Sequence, residues 1–390
     1  MTDDVVVLGS GYAGAGAIKQ LEAELDGEAD LTWVSDVDHH LVLHESHRCI
    51  RDPTVKEKIT FPIADLKAPT TRFVHGRVET IDVDDREVTL ADDSTVGYDY
   101  LLVGFGSKTA FFGIDGLKNY SLTLKNLEDA LEINDAITEA AREASRSEPA
   151  QVIVGGAGLS GIQSAGEIAE FRDANRAPID IHLVEGLDNV FPNNDPVVQA
   201  KLRKLLQEKD VAIHTGEFIG GVDADTVYIG EDDELDYDVL LWTGGITGQD
   251  AAATADVDQD ERSHRIQSAS TFQTSDERIF AIGDAALIDQ PGDEHPAPPT
   301  AQAAWQAAEV AGENIARAIR GHPLEEWEYE DMGTLISVGD KAVAHNVTGV
   351  RTFADTFGGP VAKQLKKAAA VRWINKIAGM KAAANAYPDM

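Results

Sequence analysis

The stretch that most constrains the fold is Val5–Gly14, VVVLGSGYAG, in which a short apolar run leads into three spaced glycines. These are Gly9, Gly11 and Gly14, and a segment compatible with a helix follows them. In the G-x-G-x-x-G pattern the first glycine permits a tight turn, the second lets the backbone approach a pyrophosphate, and the third lets the helix pack on the strand. The diphosphate then lies against N–H groups at the helix start. The stretch therefore predicts a strand, a phosphate-binding turn and a helix.

The same pattern occurs a second time, in Gln151–Gly161, QVIVGGAGLSG. Its glycines are Gly156, Gly158 and Gly161, and they also follow an apolar run and precede a helical segment. One such pattern is weak support for nucleotide binding, because short glycine motifs arise by chance. Two in one chain predict an α/β protein with two Rossmann-like units that bind two dinucleotides.

The strand that follows each pattern is expected to end in an acid that binds the adenosine ribose. In the first unit the predicted strand Leu31–Val34 is followed by Ser35 and then by Asp36, and Asp36 is the predicted ribose ligand. In the second unit the strand Ile179–Val184 is followed directly by Glu185. A carboxylate there accepts hydrogen bonds from the ribose 2′-hydroxyl and repels a 2′-phosphate, so the second unit is predicted to prefer NADH over NADPH.

The composition is strongly acidic, with 68 Asp and Glu against 33 Lys and Arg and a formal net charge of −35. Self-repulsion on this scale destabilises a compact protein in dilute buffer, whereas about 1 M salt screens charges beyond about 3 Å. We therefore expect a halophilic protein. An acidic binding surface is the alternative, but the acids are spread through most of the chain. Nucleic-acid binding is disfavoured, because a basic stretch occurs only at the C-terminal end.

Cys49 is the only cysteine in the chain. It excludes an intrachain disulfide, a redox-active C-x-x-C pair and a cysteine-rich metal site, and we predict no metal. The first strand begins near residue 5, which leaves no room for a signal peptide, and no apolar run reaches the about 18 residues of a membrane span. The body of the protein is therefore expected in the cytoplasm unless another segment anchors it.

A third motif, Ile279–Asp284, IFAIGD, makes the order of motifs resemble the flavoproteins of the pyridine nucleotide-disulfide oxidoreductase superfamily. This resemblance implies two Rossmann-like dinucleotide-binding domains, with the NAD domain inserted in the FAD domain, and a C-terminal β/helical region. The implied limits are residues 1–118 and 249–325 for the FAD domain, 119–248 for the NAD domain and 326–390 for the C-terminal region.

The resemblance also implies which residues hold the two cofactors, FAD and NADH. The implied FAD ligands are Gly9, Gly11, Gly14, Asp36, Val78, Gly106, Gly283 and Asp284. The implied NADH ligands are Gly156, Gly158, Gly161, Glu185 and Gly244.

Within that superfamily the sequence is most similar to the type II NADH:quinone oxidoreductases, the non-pumping NADH dehydrogenases of respiratory chains. Ala301–Gln306, AQAAWQ, matches the A-Q-x-A-x-Q quinone-site motif of that family. Gln302 and Gln306 are four residues apart and share one face of a helix, from which their amides are implied to reach a quinone carbonyl. The family usually has a glutamate near the nicotinamide where this chain has Gln163. Gln163 is implied to act there as a neutral hydrogen-bonding group.

The C-terminal tail, residues 358–388, contains six basic residues and no acid. It resembles the membrane-docking end of that family, which implies a peripheral protein on the cytoplasmic face of the cell membrane and a membrane quinone, menaquinone, as substrate. On a helical wheel the tail has two separate apolar stripes, so we expect a break near residues 370–372, or one half packed on the body. Trp373, Ile374 and Ile377 are expected to contact lipid. A helix that packs a homodimer is the alternative.

Two other functions remain open from the sequence. A flavoprotein NADH oxidase or peroxidase would cycle a single cysteine through a sulfenic acid, and Cys49 lies in the region where that residue is expected. A buried structural cysteine is the commoner explanation. The second alternative is a flavin-bearing scaffold that assembles in response to NADH and turns over slowly, which Gln163 in place of a glutamate leaves open.

Overall fold

The centre of the molecule is a parallel sheet built on the first glycine motif. The computed structural model describes residues 2–230, 233–349 and 355–389. The five strands are, in spatial order, Ile279–Ala281, Tyr100–Val103, Asp3–Leu8, Ala29–Ser35 and Arg72–His75, and all neighbours are parallel. The apolar run that ends the central strand is buried at four successive positions, so both faces of the sheet are covered. Continuous burial of this kind is typical of a parallel sheet.

A second parallel sheet carries the second glycine motif. Its four strands are, in spatial order, Val211–Thr215, Ile179–Glu185, Ala150–Gly155 and Val239–Trp242. In the sequence this whole sheet lies between Tyr100–Val103 and Ile279–Ala281, which are neighbours in the first sheet. The predicted α/β fold, in which one dinucleotide-binding domain is inserted in another, is therefore confirmed. The residue limits predicted for the domains stay predictions.

Longer helices follow or cover the strands of these sheets. Those of eight or more residues are α1 (Tyr12–Leu25), α2 (Leu127–Glu143), α3 (Leu159–Asn175), α4 (Pro196–Gln207), α5 (Ala301–Ile319) and α6 (Pro360–Ala386). One-turn helices occur at Lys56–Ile59, Ile63–Leu66 and Leu117–Tyr120. A 3₁₀ helix, Leu43–Ile50, contains the single cysteine.

Antiparallel sheets fill the remaining space. Three of them have three strands each: Val78–Asp82, Glu87–Leu90 and Thr95–Gly97; Ile219–Val222, Thr226–Ile229 and Asp233–Asp236; and Thr334–Val338, Lys341–His345 and Thr356–Gly358. Two-stranded pairs join Ser107–Thr109 to Ile246–Gly248, His39–Leu41 to Thr60–Pro62 and, in parallel, Ile266–Ser268 to Ala286–Ile288.

Small residues let α1 and α5 pack closely. A Cβ atom added to Gly16 would lie 2.7 Å from the Cβ of Ala308, and one added to Gly312 would lie 2.7 Å from the Cβ of Gln20. Real Cβ atoms do not approach each other so closely, so both positions require glycine. The close crossing sets the helix with the AQAAWQ motif directly against the helix that begins at the first glycine motif.

The C-terminal helix α6 packs into the core rather than standing free. Trp373, Ile374 and Ile377 are each 3% exposed or less, and the Trp373 ring lies 4.9 Å from Tyr12 and 5.6 Å from Trp305 between ring centroids. The prediction that these three side chains contact lipid is wrong, because their large apolar surfaces complete the core around α1 and α5. Of the two expectations for the tail, the packing of one half on the body is the one the structure shows.

The predicted break at residues 370–372 is also wrong. The non-helical residue inside α6 is Gly379, with φ of 82°, a conformation that glycine adopts without strain. Through residues 2–230, 233–349 and 355–389, every helix is too short or too polar to cross a bilayer.

Candidate functional site

Both glycine motifs form the turn that the sequence predicts. Gly9 and Gly156, the first glycines, have φ of 96° and 92°. A Cβ atom added to Gly14 would lie 1.9 Å from the carbonyl oxygen of Gly9, and one added to Gly161 would lie 1.8 Å from that of Gly156. The third glycine of each motif therefore lets the helix pack against the turn, and no other residue fits there.

The second glycine of each motif faces open space. A Cβ atom added to Gly11 or to Gly158 would meet no heavy atom within 4 Å. Each of these glycines is the N-cap of its helix, α1 or α3, and no side chain caps either helix start. The first-turn N–H groups are thus free of side-chain acceptors and positioned to bind the diphosphate of a dinucleotide. The residues fit FAD at the first turn and NADH at the second.

The acid at the second turn is anchored at the edge of the motif. Glu185 Oε2 accepts a hydrogen bond of 2.8 Å from the N–H of Ala157, and its Oε1 accepts one of 3.0 Å from the N–H of Leu187. Each carboxylate oxygen has a second lone pair, which leaves an acceptor for a ribose hydroxyl. Glu185 therefore fixes the turn and still has lone pairs that can accept a hydrogen bond from a ribose hydroxyl.

The equivalent position at the first turn is a serine. By strand register Ser35 corresponds to Glu185, and its hydroxyl donates to Ser10 Oγ at 3.0 Å. Asp36 lies one residue further along and is exposed, and its carbonyl oxygen accepts a hydrogen bond of 2.9 Å from His75 Nε2. The carboxylate of Asp36 is thus near the turn but not in the register position of Glu185, and its role in ribose binding stays a prediction.

The late Gly-Asp motif meets the first glycine motif and α5 at one point. A Cβ atom added to Gly283 would lie 3.2 Å from the Cβ of Ala13 and 3.4 Å from that of Ala304. Asp284 follows, and its Oδ2 lies 3.4 Å from Ser107 Oγ. The structure therefore brings together the first turn, the predicted FAD ligand Asp284 and the start of the helix with the AQAAWQ motif.

A partly buried lysine beside Asp284 was not predicted from the sequence. Lys125 Nζ donates to Ser107 Oγ at 2.9 Å, and burial lowers the pKa of Lys125 against the opposing effect of Asp284. Arg265 Nε donates to the carbonyl oxygen of Asp284 at 2.9 Å. Gly106, next to Ser107, has φ of 74° and open space on its Cβ side. A single lysine in a polar connecting segment carries no periodic signal, so the sequence offers no means of finding it.

Two other predicted ligands lie beside the two turns. A Cβ atom added to Gly156 would lie 2.8 Å from the Cα of Gly244, so Gly244 packs directly on the second turn. Val78 begins a strand two residues after Gly76, whose N–H donates to the carbonyl oxygen of Ser35 at 2.8 Å. Whether Val78 and Gly244 contact a cofactor stays a prediction.

The two glutamines of α5 are bonded to one extended segment. Gln306 donates from Nε2 to the carbonyl oxygen of Glu330 at 2.9 Å and accepts from the N–H of Glu330 at 3.1 Å. Gln302 Oε1 accepts from the N–H of Met332 at 3.0 Å and from the hydroxyl of Tyr329 at 3.2 Å. Gln306 thus holds a backbone in place with both amide atoms, whereas the Nε2 of Gln302 takes no part in these bonds.

Gln163 lies in a cluster of buried polar side chains from four elements, which we call the buried polar cluster: Glu45, His47, Gln163, Ser337 and Lys366. Gln163 Nε2 lies 3.1 Å from Ser337 Oγ and 3.4 Å from His47 Nε2. Lys366 Nζ lies 2.8 Å from Glu45 Oε1 and 3.5 Å from His47 Nε2. The donors around His47 Nε2 make this nitrogen an acceptor, so its proton is on Nδ1.

Charge in this cluster is balanced by one ion pair. Burial alone would raise the pKa of Glu45, but Lys366, the neighbouring imidazoles and Arg48 outweigh it and lower that pKa to about 2. Burial, with Lys366 next in effect, lowers the pKa of His47 well below its usual value. At neutral pH the cluster therefore holds a carboxylate, which is paired with Lys366, and a neutral imidazole. Gln163 is fixed among them as a neutral amide.

A histidine ties α6 to the first turn. His40 Nδ1 donates to the carbonyl oxygen of Ser10 at 2.7 Å, and His40 Nε2 accepts from Trp373 Nε1 at 2.9 Å. Burial lowers the pKa of His40 to about 4. Both ring nitrogens are occupied within the protein, so His40 acts as a structural link.

Cys49 is fully buried, and burial raises its pKa to about 11. The nucleophilic form of cysteine is the thiolate, which such a pKa makes scarce at neutral pH. This environment does not favour a redox-active Cys49.

Residues 3–308 match the family model described as pyridine nucleotide-disulphide oxidoreductase. The chain belongs to this family. The matched part includes both glycine turns, the late Gly-Asp motif and the first turns of α5, so the family match and the two-sheet fold cover the same elements.

The chain is similar in sequence or in structure to several known oxidoreductases and related proteins. A type II NADH:quinone oxidoreductase of Staphylococcus aureus is 26% identical, with 96% of each chain covered. The structure of NDH2 from Plasmodium falciparum in complex with NADH has a TM-score of 0.85 at 16% identity, covering 100% of this chain and 98% of that one. The sulfide:quinone oxidoreductase of Aquifex aeolicus has a TM-score of 0.79 at 20% identity, covering 96% and 91%.

The buried ion pair leads to a stability prediction. Lys366→Met leaves the buried Glu45 carboxylate with Arg48 at 3.4 Å as its remaining close cation, which we expect to cost about 3–5 kcal/mol of unfolding free energy at neutral pH. Because the Glu45 pKa is lowered in the folded state, the pair stabilises above about pH 4.5 and this contribution is lost as pH falls towards 2. The deficit should shrink over that range. Denaturant unfolding at several pH values measures it.

The matched control is Lys381→Met, an exposed lysine on the same helix, which should change the unfolding free energy by less than about 0.5 kcal/mol. The double variant Lys366→Met/Glu45→Gln should regain part of the lost unfolding free energy, because it also removes the buried carboxylate. Equal stability of the Lys366→Met and Lys381→Met proteins at neutral pH would contradict the ion-pair account.

Proposed function

We propose that this chain is an FAD-dependent NADH:quinone oxidoreductase, a type II NADH dehydrogenase. The observation that carries the proposal is the pair of open glycine turns, the first of which meets α5 with its quinone motif through Gly283, Ala13 and Ala304. Coverage of 96% of each chain in the match to the Staphylococcus aureus oxidoreductase supports it. We propose residues 1–118 and 249–325 as the FAD domain, 119–248 as the NAD domain and 326–390 as the C-terminal region.

The chain's residues would hold FAD at the first turn. Bound there, FAD supplies a two-electron carrier that accepts hydride from NADH and passes electrons on to a quinone. The first-turn N–H groups of α1 would bind its diphosphate, and Asp284 would accept a hydrogen bond from its ribityl chain. Lys125 is linked to Asp284 through Ser107, to which its Nζ donates, in a partly buried setting where electrostatic effects are larger than in water.

The second turn would hold NADH. Glu185 would accept from the ribose hydroxyls, while Gly186 and Leu187 offer no cation for a 2′-phosphate, so NADH is preferred to NADPH. Gln163 would stand beside the nicotinamide as a neutral hydrogen-bonding group, held in place by Ser337 and His47. The proposed mechanism requires no carboxylate at position 163.

The quinone would be positioned by α5. The backbone and phenol bonds to Gln302 Oε1 fix the amide plane and leave its Nε2 protons as the donor for a quinone carbonyl. Gln306 instead holds the segment that contains Glu330 and so shapes the site. We therefore assign direct quinone contact to Gln302 and a positioning role to Gln306.

Neither alternative function is favoured. The high pKa and full burial of Cys49 disfavour a sulfenic-acid oxidase or peroxidase. The scaffold alternative rests on Gln163 alone, and the fixed neutral amide at that position is compatible with hydride transfer.

We propose that the enzyme works in concentrated salt, on the ground of its net charge of −35. Menaquinone is the quinone we propose, and the cytoplasmic face of the cell membrane is the proposed location, where NADH is available to a peripheral respiratory enzyme. A homodimer remains the alternative use of the C-terminal surface.

For the membrane surface we propose the exposed side of α6 and the basic cavity at its start. Val361 is 55% and Met380 80% exposed. A cavity of ≈ 610 Å³ between α4 and the start of α6 includes two acids, Glu208 and Asp340, and four lysines: Lys201, Lys204, Lys341 and Lys363. In a chain so acidic overall, this local excess of positive charge suits anionic lipid headgroups.

Stopped-flow mixing of the FAD-loaded protein in molar KCl tests the proposed reaction. We expect NADH to bleach the flavin absorbance within milliseconds, and menadione, but not oxygen, to restore it rapidly. The Cys49→Ser protein should show the same bleaching and recovery, because the thiol of Cys49 takes no part in the proposed reaction. A long-lived charge-transfer band with no recovery by quinone would instead indicate the scaffold, and loss of recovery in Cys49→Ser would indicate the cysteine mechanism.

Sedimentation with vesicles tests the membrane surface. We expect Val361→Asp/Met380→Asp to reduce co-sedimentation with phosphatidylglycerol vesicles about tenfold or more, since charged side chains replace apolar ones at the lipid contact. Flavin bleaching by NADH should be unchanged. Tyr120→Asp, an exposed aromatic residue outside α4 and α6, is the control and should co-sediment to the same extent as the original protein. Undiminished sedimentation of the double variant would place the lipid contact elsewhere.

A further inference from the structure

One large aromatic side chain beside the second turn is left exposed. Phe218 lies between the strands Val211–Thr215 and Ile219–Val222, and 66% of its surface is accessible. Burying a phenylalanine ring is worth about 1.5–3 kcal/mol relative to leaving it exposed. A ring left open at the edge of a ligand site is therefore a candidate contact for an apolar part of the ligand.

The position of this ring is fixed by backbone hydrogen bonds. The N–H of Gly216 lies 3.1 Å from the carbonyl oxygen of Glu185 and 3.0 Å from that of Leu187, and the N–H of Gly230 donates to the carbonyl oxygen of Phe218 at 2.9 Å. The bonds from Gly216 hold the segment that precedes Phe218 against Glu185 and Leu187, and the bond from Gly230 holds the backbone of Phe218 itself.

The ring lies directly on Gly186. A Cβ atom added to Gly186 would be 2.2 Å from Cδ1 of Phe218, so only glycine leaves room for the ring there. Leu187, the next residue, is 41% exposed. An exposed aromatic ring and an exposed aliphatic side chain thus lie at the two residues that follow Glu185.

The groups around the ring favour an uncharged ligand part. Asp188 Oδ1 would lie 3.7 Å from a Cβ atom on Gly216, and Glu217 directly precedes Phe218. Acids at these positions repel phosphate. A flat neutral base, in contrast, can stack on an aromatic ring, and this contact does not depend on the hydrogen-bonding groups of the base.

We propose that Phe218 is the stacking surface for the adenine of NADH. The proposal rests on the proposed function, because it requires the ribose of NADH at Glu185. Since adenine is attached to that same ribose, it must lie within reach of the residues just after Glu185, where Phe218 covers Gly186. Phe218 is then a specificity residue, which recognises the part of the cofactor remote from hydride transfer.

Calorimetric titration of the FAD-loaded protein with ADP-ribose tests the contact directly, because FAD fills the first turn and ADP-ribose lacks the nicotinamide. Phe218→Ala should weaken binding about 5- to 150-fold, the range for losing one base–aromatic stack. Phe218→Trp should retain the affinity. Tyr228→Ala removes another exposed ring of the same hairpin and should leave the affinity unchanged. Unchanged binding in Phe218→Ala, or equal loss in Tyr228→Ala, would overturn the proposal.

Kinetics with reduced nicotinamide mononucleotide separate stacking from a structural effect. Phe218→Ala should raise KM for NADH by a similar factor and leave KM for the mononucleotide, which has no adenine, unchanged. An equal rise for both substrates would contradict the proposal. If the original protein oxidised neither substrate, the proposed function would fail, while the ADP-ribose titration would still decide the role of Phe218.

Discussion

The structure depends on a steric constraint that occurs twice, the contact between a helix and the carbonyl of the turn that precedes it. At Gly14 and at Gly161 a Cβ atom would lie within 2 Å of a carbonyl oxygen. Because the helix can pack so closely only through glycine, the chain turns back sharply and leaves the second glycine of each motif facing open space. The rest of each site is arranged around that opening, which suits a diphosphate at an uncapped helix start.

Contacts through small and buried residues connect the two glycine turns to α5 and α6. Gly283 sits against Ala13 and Ala304 and so places the start of α5 beside the first turn. Lys366 reaches from α6 to Glu45 and lies near His47, which in turn is close to Gln163 beside the second turn. The C-terminal helix is thus part of the core, and the membrane contact that we propose for it involves only the side chains that it leaves exposed.

The fold could be predicted from the sequence because its main determinants are local. Glycine spacing, apolar runs and strand ends are all read within a few residues, and they located both turns and Glu185. What depends on tertiary contacts could not be predicted. The burial of Trp373 depends on the partner surfaces of α1 and α5, and the bonding of Gln306 depends on a segment more than twenty residues away. Lys125 had no local signal at all.

The most direct test of two separate dinucleotide sites is the absorbance spectrum of the Gly161→Ala protein during titration with NADH. The added methyl group collides with the carbonyl of Gly156 only in the second turn. The account predicts that the variant keeps its flavin, which also shows that it folds, and that NADH no longer bleaches it at concentrations that fully bleach the original protein. Bleaching at the original NADH concentration, or loss of flavin from Gly161→Ala but not from Gly14→Ala, would contradict the account.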